Sequence, residues 1–490
     1  MACVRIDSGE IAGTGTDVRV FRGIPYAAPP LGPLRWRPPQ PVSPWTGVHD
    51  GSRFGPDPIQ ATRPLPMRRS LAPATSEDCL NLNIWAPGET PARGAPVMVS
   101  FEGGAYRETS ASREFISGDA YARRGVVFVS VNYRVGVFGF LAHPALTAES
   151  PHHSSGNYGL LDAIAALTWV RENIASFGGD PARVTAIGVS AGAAMVALLL
   201  TSPLAEGLIH GVILRSPSSF KPLATLAEAE AAGGVVGDDL VAMRALPAAD
   251  LLAMNLQIDP GGRGLQKKIR LRTIVDGWVI PQDEAKAFRS GAFAAVPMIV
   301  GSIANEGGEA PTYSLARPEL RTVKTTAQLR DYLTANFGAM FDEAWVHYGA
   351  EAAADVAPAL TRMWGDTMFA FGIRSLARAL ARREPKTFRY IFSHVGKYTS
   401  TPPVYGDDMT YAFGTGEFEA HDRAMSDAIV AAFANFAKSG DPNGLGAPRW
   451  TPYDPACDNY LTFGPGFAEE RSWRTESSDF LERFYRALST

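Results

Sequence analysis

Residues 188–192 read GVSAG, a serine with a glycine two positions away on either side. A serine hydroxyl is a weak nucleophile until a base stands ready for its proton and donors wait for the charge that its attack creates. The preceding run RVTAIGVS predicts a buried strand, and AGAAMVALLL after it predicts a helix. A strand that turns into a helix at such a serine is the setting of a nucleophile elbow. The two glycines permit the tight turn, the Ser190 hydroxyl stands above the sheet, and the Ala191 amide at the helix start is placed to bind an oxyanion. This junction favours an elbow over a purely structural turn.

The surrounding pattern supplies the scaffold. APVMVSF (95–101), VVFVSVNY (126–133), GVILRSP (211–217), VPMIVGS (296–302) and TFRYIFSH (387–394) are short apolar runs ending at polar or glycine residues, and they predict buried parallel strands. LLDAIAALTWVRENIASF (160–177) has helical spacing and stops at Gly178-Gly179. Strands alternating with helices predict an α/β fold, one mostly parallel mixed sheet flanked by helices. The proline-rich stretch before about residue 95 reads as irregular, 222–385 as a helical cap region, and RAMSDAIVAAFANFAKSG (423–440) as the last helix. With no repeat and no low-complexity linker, residues 1–490 are taken as one domain.

Composition narrows the function. Of 490 residues, 46% are hydrophobic, enough for a large core, and a net charge of −4 without basic runs argues against nucleic acid or a membrane surface. No apolar run reaches the roughly 20 residues of a membrane helix. The eight histidines show no metal-ligand spacing, so neither metal nor cofactor is expected. Three cysteines form no disulfide framework, and the N-terminus lacks a signal-peptide pattern, so a cytoplasmic protein is expected.

A second layer comes from whole stretches: FRGIPYAAPPLGPLRW (21–36), SEDCLNLNIWAP (76–87), VNYRVGVFGFL (131–141), GNYGLLD (156–162), FGGDPARVTAIGVSAG (177–192), VDGWVIP (275–281), NEG (305–307) and FAKSGDPN (436–443). In kind and order these resemble the type B carboxylesterases, the family of para-nitrobenzyl esterases, animal carboxylesterases and cholinesterases. The resemblance implies an α/β-hydrolase fold with Ser190 as nucleophile, Glu306 as triad acid, and an oxyanion hole from the backbone of Gly104, Ala105 and Ala191. It also implies a structural pair Arg35–Glu77, and it places Asp57 near the position of a cysteine that would otherwise bridge to Cys79.

Four positions depart from the family pattern. Tyr405, in PPVYGDDMTYAFG (402–414), occupies the place of the catalytic histidine. Glu102 opens the oxyanion loop where histidine or tyrosine is usual, Val189 replaces a glutamate before the serine, and Arg215-Ser216-Pro217 replaces a QSG segment. Histidine serves as base and then acid because it titrates near neutrality, whereas holding a tyrosine ionised at pH 7 costs about 4 kcal/mol. Without a triad base, hydrolysis falls by roughly 10⁴–10⁶ in comparable enzymes. Arg215 is the one candidate cation named to lower the Tyr405 pKa, and Glu102 and Ser216 are further candidates for the site.

Three functions therefore compete. One is hydrolysis or acyl transfer by Ser190, Tyr405 and Glu306 on the carbonyl of an ester, lactone or related group. The second is a cyclase, lyase, dehydratase or decarboxylase in which the oxyanion hole polarises a carbonyl without an acyl-enzyme. The third is a catalytically dead binding module. Large side chains near Tyr106, Phe138, Phe220, Met368, Phe369 and Phe371 suggest a small hydrophobic carbonyl compound as substrate, although core packing explains at least half of them.

Overall fold

Ten strands pair into a single twisted sheet, and their residues explain why. A computed structural model describes residues 2–61, 69–259, 265, 271–308 and 322–488. The strands are β1 (Val18–Pro25), β2 (Asn81–Pro87), β3 (Ala95–Phe101), β4 (Val127–Val131), β5 (Gly179–Val189), β6 (Gly211–Arg215), β7 (Met298–Ile303), β8 (Thr387–Phe392), β9 (Asn459–Phe463) and β10 (Glu469–Arg471). Their spatial order is β10-β9-β8-β7-β6-β5-β3-β4-β2-β1. From β9 through β4 every neighbouring pair is parallel, while β1–β2, β2–β4 and β9–β10 are antiparallel. The first 95 residues are thus more regular than their prolines imply, since β1 and β2 extend the main sheet.

Both faces of the sheet are covered. Along β3, Val97, Val99 and Phe101 enter one buried cluster while Met98 enters the other, and in β6 Val212 and Leu214 oppose Ile213 in the same way. This period of two is why the strands read as unbroken apolar runs. The first face carries α1 (Tyr158–Asn173) and α2 (Ala191–Leu199), and the second carries the 20-residue α5 (Ala420–Ser439), which follows the short α4 (Met409–Phe413). Helix α3 (Phe371–Ala381) precedes β8. Gly440 ends α5 in a left-handed turn at φ 70°. It is not the last helix: α6 (Thr475–Ala487) follows, its Phe480, Leu481, Phe484 and Tyr485 buried in the first cluster. Among the described residues no helix is long and apolar enough to cross a membrane.

The chain passes from β3 outward to β4 and then returns to β5 on the other side of β3. Such a switch leaves a crevice at the C-terminal ends of the two central strands. Phe101 lies in register with Gly188, Val189 with Arg215, and Arg215 with Gly301. The loops after β3, β5, β6 and β7 therefore begin along one edge.

Candidate active site

Ser190 caps the end of β5 at φ 55° and ψ −123°, a left-handed backbone that an ordinary side chain avoids. Its N–H donates to the Arg215 carbonyl at 2.9 Å, which ties the turn to the neighbouring strand. Close packing explains the two glycines. A Cβ on Gly188 would meet the Ala193 nitrogen and the Gly192 carbonyl at 2.6 Å, and one on Gly192 would collide with the Phe101 carbonyl. The loop after β3 presses against the same turn, since a Cβ on Gly103 would lie 2.5 Å from the Val189 carbonyl and 2.9 Å from Ser190 Cβ. Ala105 and Tyr106 follow at φ 56° and 61°, and Gly104 at φ 143°, so the loop curls tightly over Ser190. Among the described residues nothing accepts a hydrogen bond from the N–H of Gly104, Ala105 or Ala191.

Glu306 sits beyond the end of β7, 2% exposed. Its Oε1 accepts from Ser216 Oγ at 2.6 Å, Ser302 Oγ at 2.9 Å and the Ile303 N–H at 2.9 Å. Among the described residues its Oε2 has no hydrogen-bond partner. Burial pushes the carboxyl up to about 7 despite these three donors. Glycines hold this turn too, because a Cβ on Gly307 would strike the Thr361 carbonyl. Asn305 pairs with Val404, so Glu306 and Tyr405 occupy the next positions along two adjacent segments. Tyr405 is buried in the first-face cluster, its ring stacked on Phe369 at 5.0 Å. Phe369 belongs to a π-helical turn, Asp366–Ala370, that widens the helix just ahead of α3.

The other candidates separate. Ser216 reaches Glu306, as described. Arg215 faces the opposite side of the sheet, with Ile213, and pairs with Asp408 at 2.8 Å beside Met409 and Phe413. That ion pair drives the guanidinium above its ordinary range against the opposing effect of burial. Arg215 is thus a buried counter-ion rather than a cation beside Tyr405. Glu102 is 3% exposed, and its backbone carbonyl accepts from Tyr133 Oη at 2.6 Å and Thr109 Oγ1 at 3.2 Å. Val189 is core. Of the aromatic candidates, Phe369 meets Tyr405, whereas Phe371 stacks on Tyr485 and Phe138 lies over Arg35. Arg35 and Glu77 form a two-pronged pair at 2.5 and 2.7 Å, and Arg35 also donates to the Arg244 and Leu246 carbonyls. Cys79 is a free buried thiol, and Asp57 accepts from Ser112 Oγ at 3.3 Å.

The eight histidines can be followed one by one. His49 contacts the Gly23 carbonyl, His143 accepts from the Ala145 N–H and His210 from the Val184 N–H. His152 stacks on Trp278, His347 packs on Phe480, and His153 lies exposed in its turn. His394 bonds Asp422 at 2.7 Å, where His421 stands 3.4 Å away. None of them hydrogen bonds Ser190. One ligand atom each from His394, His421 and Asp422 lie within 4.8 Å of one another, the one such group among the described residues. Hydrogen bonds from His394 and Tyr411 to Asp422 Oδ1 already account for that arrangement.

Sequence reasoning missed Ser302 and Asp408. Ser302 had a faint signal as the polar residue in the apolar run MIVGSI, but Asp408 had none, because its partner lies 193 positions away.

Comparison with known proteins identifies the family. The model of the carboxylesterase family matches residues 2–481. Fumonisin B1 esterase of Sphingopyxis macrogoltabida is 42% identical over 93% of this chain and 85% of its own length. Liver carboxylesterase of Sus scrofa is 32% identical over 93% of this chain and 86% of its own. Cocaine esterase of Homo sapiens is 31% identical over 91% and 83%.

Proposed function

The chain belongs to the carboxylesterase family and carries its α/β-hydrolase fold, and from that premise we propose that it attacks the carbonyl of an ester, lactone or related acyl group with Ser190, Tyr405 standing where the histidine would be. The observation that carries this reading is the strained Ser190 turn with the Gly103 backbone packed against its Cβ. A nucleophile that must meet backbone donors accounts for both the strain and the contact. A small, largely hydrophobic substrate is supported by the aromatic surroundings of Tyr405.

In the proposed reaction Ser190 Oγ adds to the carbonyl carbon, and the oxygen gains its charge against the N–H groups of Gly104, Ala105 and Ala191. The serine proton passes to Tyr405, which accepts it only as a phenolate. Glu306, adjacent in register, is the acid–base neighbour able to take the phenol proton. Because Glu306 ionises near 7, the rate rises with pH above that point. Turnover is slow beside a histidine triad, with the oxyanion hole supplying about 10³–10⁴ over water. A fluorophosphonate probe should label Ser190, and Ser190→Ala should abolish both labelling and turnover. Failure to label under forcing conditions would sink this reading.

A second reading is favoured by one observation, the lack of any imidazole bonded to Ser190. The same donors would polarise a carbonyl for an elimination or ring closure, with no acyl-enzyme formed. Under it, Ser190→Ala slows turnover without abolishing it. Strong hydrolysis of para-nitrophenyl acetate created by Tyr405→His would show that the native site was not shaped for simple hydrolysis.

A further inference from the structure

Directly after the oxyanion loop the chain reaches a set of buried donors that hydrogen bond no carboxylate. Tyr106 follows Ala105, and its ring faces the Arg272 guanidinium carbon at 5.4 Å. Arg272 is 4% exposed, and its Nε and Nη2 have no hydrogen-bond partner. The Tyr106 hydroxyl is buried beside Arg272 and Thr273 and interacts with both, but neither it nor the Thr273 Oγ1 closes a hydrogen bond of full geometry. No ion pair joins Arg272 to a carboxylate among the described residues. Natural proteins rarely leave a buried charge uncompensated, because desolvation is repaid only by a partner of opposite sign.

The set is held in place. Asn157 clamps the next residue, donating from Nδ2 to the Ile274 carbonyl and accepting the Ile274 N–H at Oδ1, both at 3.0 Å. Tyr106 is fixed by its left-handed backbone and by the Gly136 N–H, which donates to its carbonyl at 2.6 Å. Glu284 feels the charge of Arg272; its Oε2 is taken by the Phe220 N–H at 2.7 Å, while its Oε1 has no hydrogen-bond partner. Burial pushes that carboxyl up to about 7, so it supplies only part of a counter-charge at neutral pH.

We propose that Arg272, with the hydroxyls of Tyr106 and Thr273, forms a subsite for a carboxylate carried by the substrate a few bonds from the reacting carbonyl. Nε and Nη2 are the side-on fork of a guanidinium, and their spacing matches the two oxygens of a carboxylate. The hydroxyls add donors beside the fork. The tyrosine joins the subsite to the oxyanion loop, so a bound carboxylate would fix the position of the carbonyl. The substrate class is then an acyl compound with a hydrophobic body and an acidic arm. This inference rests on the reading of Ser190 as the acyl-accepting centre, and its test is arranged to separate the two.

The probes are 4-nitrophenyl hemiglutarate and the neutral 4-nitrophenyl valerate of equal chain length. The wild type should prefer the charged ester by kcat/KM, and Arg272→Met should lower the charged-to-neutral ratio by at least about 30-fold, as loss of a buried charge partner does. Tyr106→Phe, which removes only a hydroxyl loosely held by Thr273 and Arg272 and should fold normally, should lower the ratio about 3- to 10-fold. An unchanged ratio in Arg272→Met overturns the proposal. If the wild type hydrolyses neither ester, the hydrolytic reading fails, and titration calorimetry with glutarate decides the subsite separately. Glutarate should bind wild type and not Arg272→Met, with inorganic phosphate much the weaker ligand. Equal binding to both proteins, or to neither, overturns it. The ligand-free Arg272→Met protein should melt no lower than wild type, whereas a structural role for Arg272 predicts a clear fall.

Discussion

Replacing Glu306 by glutamine should make the protein less sensitive to alkaline pH. The carboxyl is 2% exposed, accepts three hydrogen bonds on Oε1, and still sits at about 7 rather than 4.5 because burial outweighs the donors. Between those two values the folded state binds more protons than the unfolded chain, so the unfolding free energy falls as pH rises. The stability that neutral Glu306 confers is complete below the unfolded value and is lost as pH climbs through about 7. At about 1.4 kcal/mol per unit, the rise corresponds to a loss on the order of 3 kcal/mol. Glutamine keeps an acceptor for the three donors and cannot ionise. Glu284, also raised to about 7, titrates alike in both proteins and cancels in their difference. The assay is urea unfolding of wild type and Glu306→Gln at about pH 4 and about pH 8.5, comparing how far each loses stability between them. Infrared difference spectra should also show a protonated carboxyl band, absent from the variant, that disappears with a midpoint near 7. Parallel stability profiles, with no such band, would refute the claim that burial dominates this carboxyl. Under the reaction proposed above, the variant should meanwhile lose activity.

Other perturbations test neighbouring parts. Gly103→Ala places a Cβ 2.5 Å from the Val189 carbonyl, so the loop must move, and fluorophosphonate labelling of Ser190 should slow by about 100-fold. A rate within about threefold of wild type would show that the loop is not seated against the nucleophile. Ser216→Ala removes the 2.6 Å donor to Glu306, so the alkaline rise in activity should move to higher pH and stability should drop by about 1–3 kcal/mol. Asp408→Asn strands a fully buried Arg215 and should cost about 3–5 kcal/mol in unfolding free energy, an effect that thermal melts would reveal at once.

Much of this molecule was legible as a string of residues. Six of the seven parallel strands announce themselves because both of their faces are buried, which forces continuous apolar runs, whereas β9, with the run NYLTF, was not read. Ser190 was readable because an elbow needs glycine on both sides, and those glycines sit within five residues of one another. The reading of Tyr405 as standing in a histidine's place was equally local, resting on PPVYGDDMTYAFG. Strands β1 and β2 were hidden by surrounding prolines, and α6 by its many polar residues.

What the sequence determined by itself was therefore the family, the scaffold and the candidate residues that the scaffold carries. Only the tertiary structure decided their company. Arg215 and Ser216 are neighbours in the chain, yet strand alternation sends one to Asp408 and the other to Glu306. The ionisation of Glu306 depends on burial and on Ser216, which lies 90 positions away. The same holds for Arg272, an ordinary arginine in the string, whose missing counter-charge exists only once Tyr106, Thr273 and Glu284 are packed around it. Local sequence sets backbone geometry and side-chain chemistry, whereas desolvation and charge pairing belong to the neighbours that folding brings in.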